Sequence, residues 1–421
     1  MRFDDPILLF VCLPGFLGIY FLILGIGSLS PRLTSWAWTV ATWWLLAASI
    51  LFIAAAWTRT GFPGAVKTVM PFGLAVMACH AIAFSVDVLR GDASTRHPLT
   101  AALYLVQCPV LPAGPVVRYS DFATQLARRT VSLGAFTYGV RRFVLGLVKV
   151  GFIGAVLAGP ADRIFATPVA KLTADAAWLG AVCFSLQIYF QFSGYSDMAI
   201  GLGRMLGFRY PENFRRPYTA DSVREFWRRW NITLITWLRD YLYLPIAGRD
   251  DPAPLLYVNI VAGFCLVGLW HGVRSNVLAW ALYSGLWLGL EAVGLGARVA
   301  RLPAFIRHVY VLMVAIVGWV ILRADTPSAA TTFLGAMAGL SGPAALTAHR
   351  YLTTPVWVAL GLAVVGAGPL VPSISRWRVS VDVAAASLVM MASATVVFIW
   401  LFLWKGGSIV VSSLKEIRSR V

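Results

Sequence analysis

Apolar residues run through this chain in long continuous stretches, not in the alternating segments of about ten residues that build a closed barrel. Only helices and closed barrels can cross a bilayer, because every backbone polar group there must be satisfied internally. A helix needs about 20 apolar residues to cross. Stretches approaching that length predict helices over Ile7 to Gly27, Trp36 to Trp57, Val69 to Val88, Ala135 to Leu157, Trp178 to Leu202, Leu255 to Trp270, Leu278 to Leu295, Val309 to Ile321, Val356 to Val371 and Val383 to Leu403. The expected architecture is an all-α polytopic membrane protein with roughly ten to twelve membrane segments. The first run lacks a small-residue cleavage site and is longer than a signal-peptide core, so it is expected to remain as a membrane helix. No long polar insertion, low-complexity linker or repeat interrupts the pattern, and residues 1–421 read as one membrane domain.

Composition agrees, since 59% hydrophobic residues, 13% charged residues and a mean hydropathy of +0.75 exclude a set of soluble domains. The net charge of +17 raises nucleic-acid binding as a class. The placement of the basic residues argues against it. They concentrate in Arg118 to Lys149, Arg204 to Arg249 and Lys415 to Arg420, read as loops and a tail that the positive-inside rule puts in the cytoplasm. The five cysteines, Cys12, Cys79, Cys108, Cys183 and Cys265, show no paired spacing and read as packing residues.

Polar residues inside the apolar pattern mark the candidate chemistry. CPVLPAGPVVRYSDF (Cys108 to Phe122) breaks any helix with three prolines and a glycine. It reads as a re-entrant or cavity-lining turn anchored by Arg118, or as an ordinary loop. Asp197 lies in the Trp178 to Leu202 run with Ser193 and Ser196 nearby. An ionisable group at that depth is a functional candidate by default, the alternative being an interhelical bond that positions the helix. His80 and Asp87, seven positions apart on an early helix, read as structural, and Glu291, Arg323 and His349 as helix-end or loop residues.

The densest stretch runs from Tyr210 to Gly272: YPENFRRPY, then EFWRRWNITLITWLRDYLYLP, then GLWHG. Trp227, Trp230, Leu234 and Leu238 recur at helical spacing, which predicts one amphipathic helix over Arg224 to Arg239 lying at the cytoplasmic interface. On that helix Arg224, Arg228, Asn231 and Arg239 share a second face. Forty residues after Asn231 comes His271, between Trp270 and Gly272. Burial would keep its imidazole neutral and able to take a proton from an attacking hydroxyl. An asparagine nearby would orient that hydroxyl or donate to the developing oxyanion. The arginines suit a phosphorylated carrier as well as a positive-inside anchor. No Walker loop, dinucleotide glycine fingerprint, zinc spacing or G-x-S-x-G elbow is present. A base with a positive rim points to transfer between a thioester and a hydroxyl.

At these residues the chain resembles the membrane-bound O-acyltransferase (MBOAT) family, in particular the bacterial branch containing the alginate O-acetylation and teichoic-acid D-alanylation membrane subunits. The motifs run in order along nearly the whole chain: PILLFVCLPGFLGIYFL, SVDVLRGD, LPAGPVVRYSDF, QFSGYSDMAIGLGRMLGFRYPENFRRPY, EFWRRW with WLRDYLYLP, GLWHG and GWVILRADT. The resemblance implies a helical fold around a central tunnel, with a catalytic core of about 105–296. The family's invariant histidine falls on His271, with the thioester arriving from the cytoplasm and the alcohol from the opposite face. Two departures stand out. The bacterial branch usually carries a histidine after RRW, where this chain has Asn231, an asparagine more typical of the family's eukaryotic members. Ser284 stands where the branch commonly has another histidine.

The expected function is O-acetyl transfer to a cell-surface or secreted polysaccharide by a multi-pass protein of the bacterial inner membrane. His271 is the candidate general base and Asn231 its partner. Arg224, Arg228, Arg239, Asp197 and Trp270 are the candidate carrier- and substrate-binding residues. The donor is expected to be acetyl-CoA or another acyl thioester, with no tightly bound cofactor or metal. Membrane lipid and a periplasmic SGNH-type acyltransferase are the expected partners, and nucleic acid is not. Acylation of a lipid or small natural product is the alternative reaction, and a glycan or lipid translocation channel the non-enzymatic one.

Overall fold

The computed structural model describes residues 72–90, 98–105, 107, 109–110, 114–243, 261, 263–265, 274–341 and 346–368. Within them the chain is helical, and only an isolated bridge between Leu172 and Leu346 has β geometry. The elements are α1 (Phe72–Arg90), α2 (Pro98–Leu105), α3 (Tyr119–Ala127), α4 (Leu133–Val148), α5 (Ala155–Phe165), α6 (Ala174–Met205), α7 (Val223–Arg229), α8 (Ile232–Leu238), α9 (Ser275–Leu290), α10 (Gly296–Val299), α11 (Ala304–Arg323), α12 (Pro327–Met337) and α13 (Thr354–Ala367). Among the described residues three helical stretches, Leu133–Phe165, Ser275–Val299 with a kink at Gly294, and Ala304–Arg323, are long and apolar enough to cross a membrane. Six of the predicted spans fall on described helices: α1, α4 with α5, α6, α9, α11 and α13. The spans over Ile7 to Gly27, Trp36 to Trp57 and Val383 to Leu403 lie outside the described residues, as does most of Leu255 to Trp270.

The pairing of α4 with α6 is built on backbone contact. A Cβ on Gly146 would stand 2.5 Å from the Gly194 carbonyl oxygen, and one on Gly201 would stand 2.6 Å from that of Gly139. Glycines seven residues apart on each helix therefore let the two backbones touch, the small-residue packing that substitutes for a hydrophobic driving force in lipid. Between the two contacts lie Arg142 and Asp197, both buried. The basic residues from Arg118 to Lys149 thus do not all sit in loops. Arg142 lies inside α4, and Lys149 opens the π-turn Lys149–Gly154 that joins α4 to α5.

The amphipathic helix expected over Arg224 to Arg239 is two helices. Trp230 is extended and Asn231 is left-handed, at φ 44° and ψ 52°. Asparagine is among the few residues that adopt this conformation at low cost, because its short side chain is tolerated there. The break also divides the apolar stripe. Trp227 and Trp230 enter a core with Phe226, Trp280 and Trp319, where the Trp230 and Trp319 rings are 4.7 Å apart. Leu234 and Trp237 pack instead with Cys79 and Ala83 of α1, and the Trp237 indole donates to the Cys79 carbonyl at 3.0 Å. Trp227 and Trp230 are therefore buried in protein and do not rim a membrane interface. Nor do the four polar residues of the expected second face share one helix.

Candidate active site

The break at Asn231 is braced by the loop that carries YPENFRRPY. Asn213 is buried in that loop, and its carbonyl accepts the Ile232 N–H at 2.9 Å. Its side-chain oxygen accepts the Thr233 backbone N–H at 3.2 Å and the Thr233 hydroxyl at 2.9 Å, while its amide donates to Ser196 Oγ of α6 at 3.0 Å. Two residues on, the Arg215 N–H donates to the Arg229 carbonyl at 3.0 Å. The orphan groups at the end of α7 and the start of α8 are thus met by one strand of loop. Asn231 itself is half-buried, and its amide makes no hydrogen bond among the described residues.

The first turn of α7 is held from two directions. Ser222 Oγ accepts the Glu225 N–H at 3.1 Å. Glu291, at the C-terminal end of α9, reaches across and accepts the Val223 N–H at 2.7 Å and the Arg224 N–H at 2.9 Å. Glu291 is therefore a helix-end residue, as the sequence implied, with the added task of capping another helix. Arg323 also ends its helix and pairs with Asp162 at 2.7 Å, and His349 lies in a single 3₁₀ turn.

Where it is described, the proline-broken segment after α2 is backbone buried in protein. Residues 114–118 run without helix, and Val116 and Val117 are buried. Side chains replace the missing backbone partners: the Val116 N–H donates to Thr233 Oγ1 at 2.9 Å and the Val117 N–H to His80 Nε2 at 3.2 Å, while the Tyr104 hydroxyl donates to the Val117 carbonyl at 2.7 Å. His80 is thus a structural acceptor. Asp87 serves a different partner, accepting from the Tyr241 hydroxyl at 2.8 Å. Arg118 anchors the end of the segment through an ion pair with Asp240. Thr233 joins this segment to Asn213, so α1, α2, α6 and α8 meet around the base of the Asn231 break.

Asp197 belongs to a four-membered charge cluster between α4 and α6. One carboxylate oxygen accepts from Arg142 Nε at 3.0 Å and Nη2 at 2.8 Å, and the other from Lys149 Nζ at 2.6 Å. Arg142 then donates twice to Glu212, at 2.5 Å each. Glu212 precedes Asn213, so the cluster ties the membrane helices to the loop that braces the break. Ser196 contributes through Asn213, whereas the buried Ser193 hydroxyl has no hydrogen-bond partner among the described residues.

The candidate arginines all lie on the surface. Arg228 pairs with Glu225 at 3.7 Å, and Arg239 with Asp240 at 2.7 Å. The bond to Asp240 pushes the Arg239 guanidinium further up, so it is cationic at every physiological pH. Arg224 has no ion-pair partner among the described residues and lines a cavity of about 510 Å³ with Glu291 and Arg307. His271 and Trp270 lie outside the described residues. Asn213, Thr233, Glu212, Arg142, Lys149 and the capping role of Glu291 escaped the sequence reading. The available signal was three polar residues, Glu212, Asn213 and Thr233, inside the motifs already singled out.

Long apolar helices that bury an ion cluster, with an arginine-bearing broken helix clamped against them, define a helical membrane protein. Residues 23–317 match the family described as MBOAT, membrane-bound O-acyltransferase, and the chain belongs to that family. It is 41% identical over 289 residues to a "Probable alginate O-acetylase AlgI" of Pseudomonas syringae pv. tomato, covering 68% of this chain and 55% of that protein. It is 34% identical over 260 residues to a "Peptidoglycan O-acetyltransferase" of Helicobacter pylori, covering 59% of this chain and 48% of that protein. Similarity to a "Teichoic acid D-alanyltransferase" of Bacillus subtilis is 24% over 229 residues, covering 50% of this chain and 56% of that protein. The chain spans about half the length of the curated relatives it matches.

Proposed function

We propose that this chain is a multi-pass O-acetyltransferase of the bacterial inner membrane, moving acetyl groups from a cytoplasmic thioester to hydroxyls of a cell-surface or secreted polysaccharide. The observation that carries this reading is the 41–42% identity, over 270 to 289 residues, to proteins named "Probable alginate O-acetylase AlgI". In the proposed step His271 takes the proton from an acceptor hydroxyl as its oxygen attacks the thioester carbonyl. The carbon–sulfur bond then breaks and the thiol leaves with a proton. Asn231, held at a break with its amide uncommitted among the described residues, orients the hydroxyl or donates to the oxyanion. Arg224, Arg228 and Arg239 attract the phosphorylated carrier, the catalytic core is about 105–296, and a periplasmic SGNH-type protein relays the acetyl group.

Mass analysis of surface glycans from strains with and without the gene tests the acceptor class, and thiol release from acetyl-CoA by reconstituted protein tests the reaction. Loss of glycan acetyl groups together with thiol release is expected. Unchanged glycans and no thiol would overturn the reading.

The role of Asn231 separates into two parts. Asn231→Gly keeps the left-handed backbone without an amide, so its unfolding midpoint is expected to stay near that of the parent while transfer falls about 10²-fold, the size of effect seen for a lost oxyanion donor. Asn231→Val loses the amide and adds backbone strain of about 1–2 kcal/mol. An Asn231→Gly protein of undiminished activity would remove the amide from the chemistry.

A further inference from the structure

The cavity beside Arg224 lies where the α9–α10 bend meets the start of α7, away from the braced break. Its apolar wall comes from Leu288 and Val299, and its polar wall from Arg224 and Arg307 together with Ser222 and two carboxylates, Asp221 paired with Arg307 and Glu291 engaged by the Val223 and Arg224 N–H groups. Arg307 is held on one side by Asp221 at 3.3 Å, yet its Nε is buried with no hydrogen-bond partner among the described residues. Arg224 keeps its head exposed and without an ion-pair partner there. Large apolar side chains stand exposed around the same bend: Val293 is 63% exposed, Phe305 77% and Ile306 46%, with Leu302 beside them. Exposed Arg298 and Arg301 alternate with them in sequence.

An exposed apolar rim interleaved with arginines is the signature of a surface at the boundary between acyl chains and headgroups. Basic pockets between membrane helices at that level hold anionic headgroups. We propose that this cavity binds the phosphodiester headgroup of an anionic phospholipid. The phosphate meets the guanidinium groups of Arg224 and Arg307, and the acyl chains run along the Val293, Phe305 and Ile306 side. The site shares Arg224 with the proposed carrier-binding residues and contains neither His271 nor Asn231, and its occupancy is measured without turnover.

Native mass spectrometry of the full chain, released from nanodiscs of equal phosphatidylglycerol and phosphatidylcholine, reads that occupancy directly. Phosphatidylglycerol is expected to be retained preferentially, and Arg307→Gln and Arg224→Gln each to reduce the preference about 5-fold, the contribution of one arginine near an anionic headgroup. Arg128→Gln, at an exposed arginine of the α3–α4 connection, is expected to leave it unchanged. Arg307→Gln removes an ion pair, so Arg224→Gln, which removes none, serves as the variant that folds normally. The proposal is overturned if the parent shows no preference, if Arg224→Gln and Arg307→Gln retain it, if Arg128→Gln lowers it equally, or if millimolar inorganic phosphate displaces the lipid.

Discussion

His271→Ala is expected to lower acetyl transfer by about 10²–10⁴-fold, the contribution of a positioned general base. Its thermal midpoint and membrane yield should match those of the parent, because the change removes a proton acceptor and no ion pair or cap described above. The alcohol must lose its proton as its oxygen bonds to carbon, and Asn231 cannot replace the imidazole, since an amide is neither protonated nor deprotonated near neutral pH. Rates from thiol release, compared between His271→Ala and the parent at equal amounts of folded protein, decide the matter. Retention of more than about a tenth of the parent rate would be far outside the general-base range and would move the base elsewhere.

The second large effect concerns stability. Asp197→Ala leaves Arg142 with Glu212 and the Tyr138 hydroxyl and strips Lys149 of its carboxylate, inside a pair of helices with no room for water between their glycines. Removing one partner of a buried pair costs about 3–5 kcal/mol, a large part of the roughly 5–15 kcal/mol that separates folded from unfolded protein. The expected outcome is a markedly lower unfolding midpoint in detergent and reduced yield. Added salt should change little, since both side chains are less than a tenth exposed and ions cannot screen them. A paired replacement, Arg142→Met with Asp197→Leu, should be milder than the single change, because it removes the two most buried charges and leaves behind only Lys149 and Glu212, whose side chains are partly exposed. An Asp197→Ala protein with the parent midpoint would show that the cluster does not hold α4 to α6.

The membrane helices were legible because lipid demands a continuous apolar run, a signal carried by each segment alone. The break at Asn231 was not. Trp227, Trp230, Leu234 and Leu238 keep helical spacing straight through it, and one left-handed residue leaves no trace in a periodicity. What makes the break is Asn213, eighteen residues earlier, in a loop whose path no local pattern reveals. Arg142 was hidden for the opposite reason: a positive residue near a span end looks like a cytoplasmic anchor until its carboxylate, fifty-five residues away, is placed beside it. The left-handed backbone also accounts for the departure noted in the sequence. Asparagine and histidine are both enriched at positive φ, so the residue after RRW can be either without rebuilding the turn.

Glu291 caps a helix that begins sixty-eight residues before it. During synthesis the ribosome therefore delivers α7 well before the carboxylate that satisfies its first two amides, and those amides must wait for α9 to be made and inserted. A nascent chain stalled between the two carries every arginine of the segment but lacks its clasp. The first turn of α7 thus settles only once α9 is in place, and until then it is where a membrane-insertion chaperone or quality-control protease would find an unfinished chain.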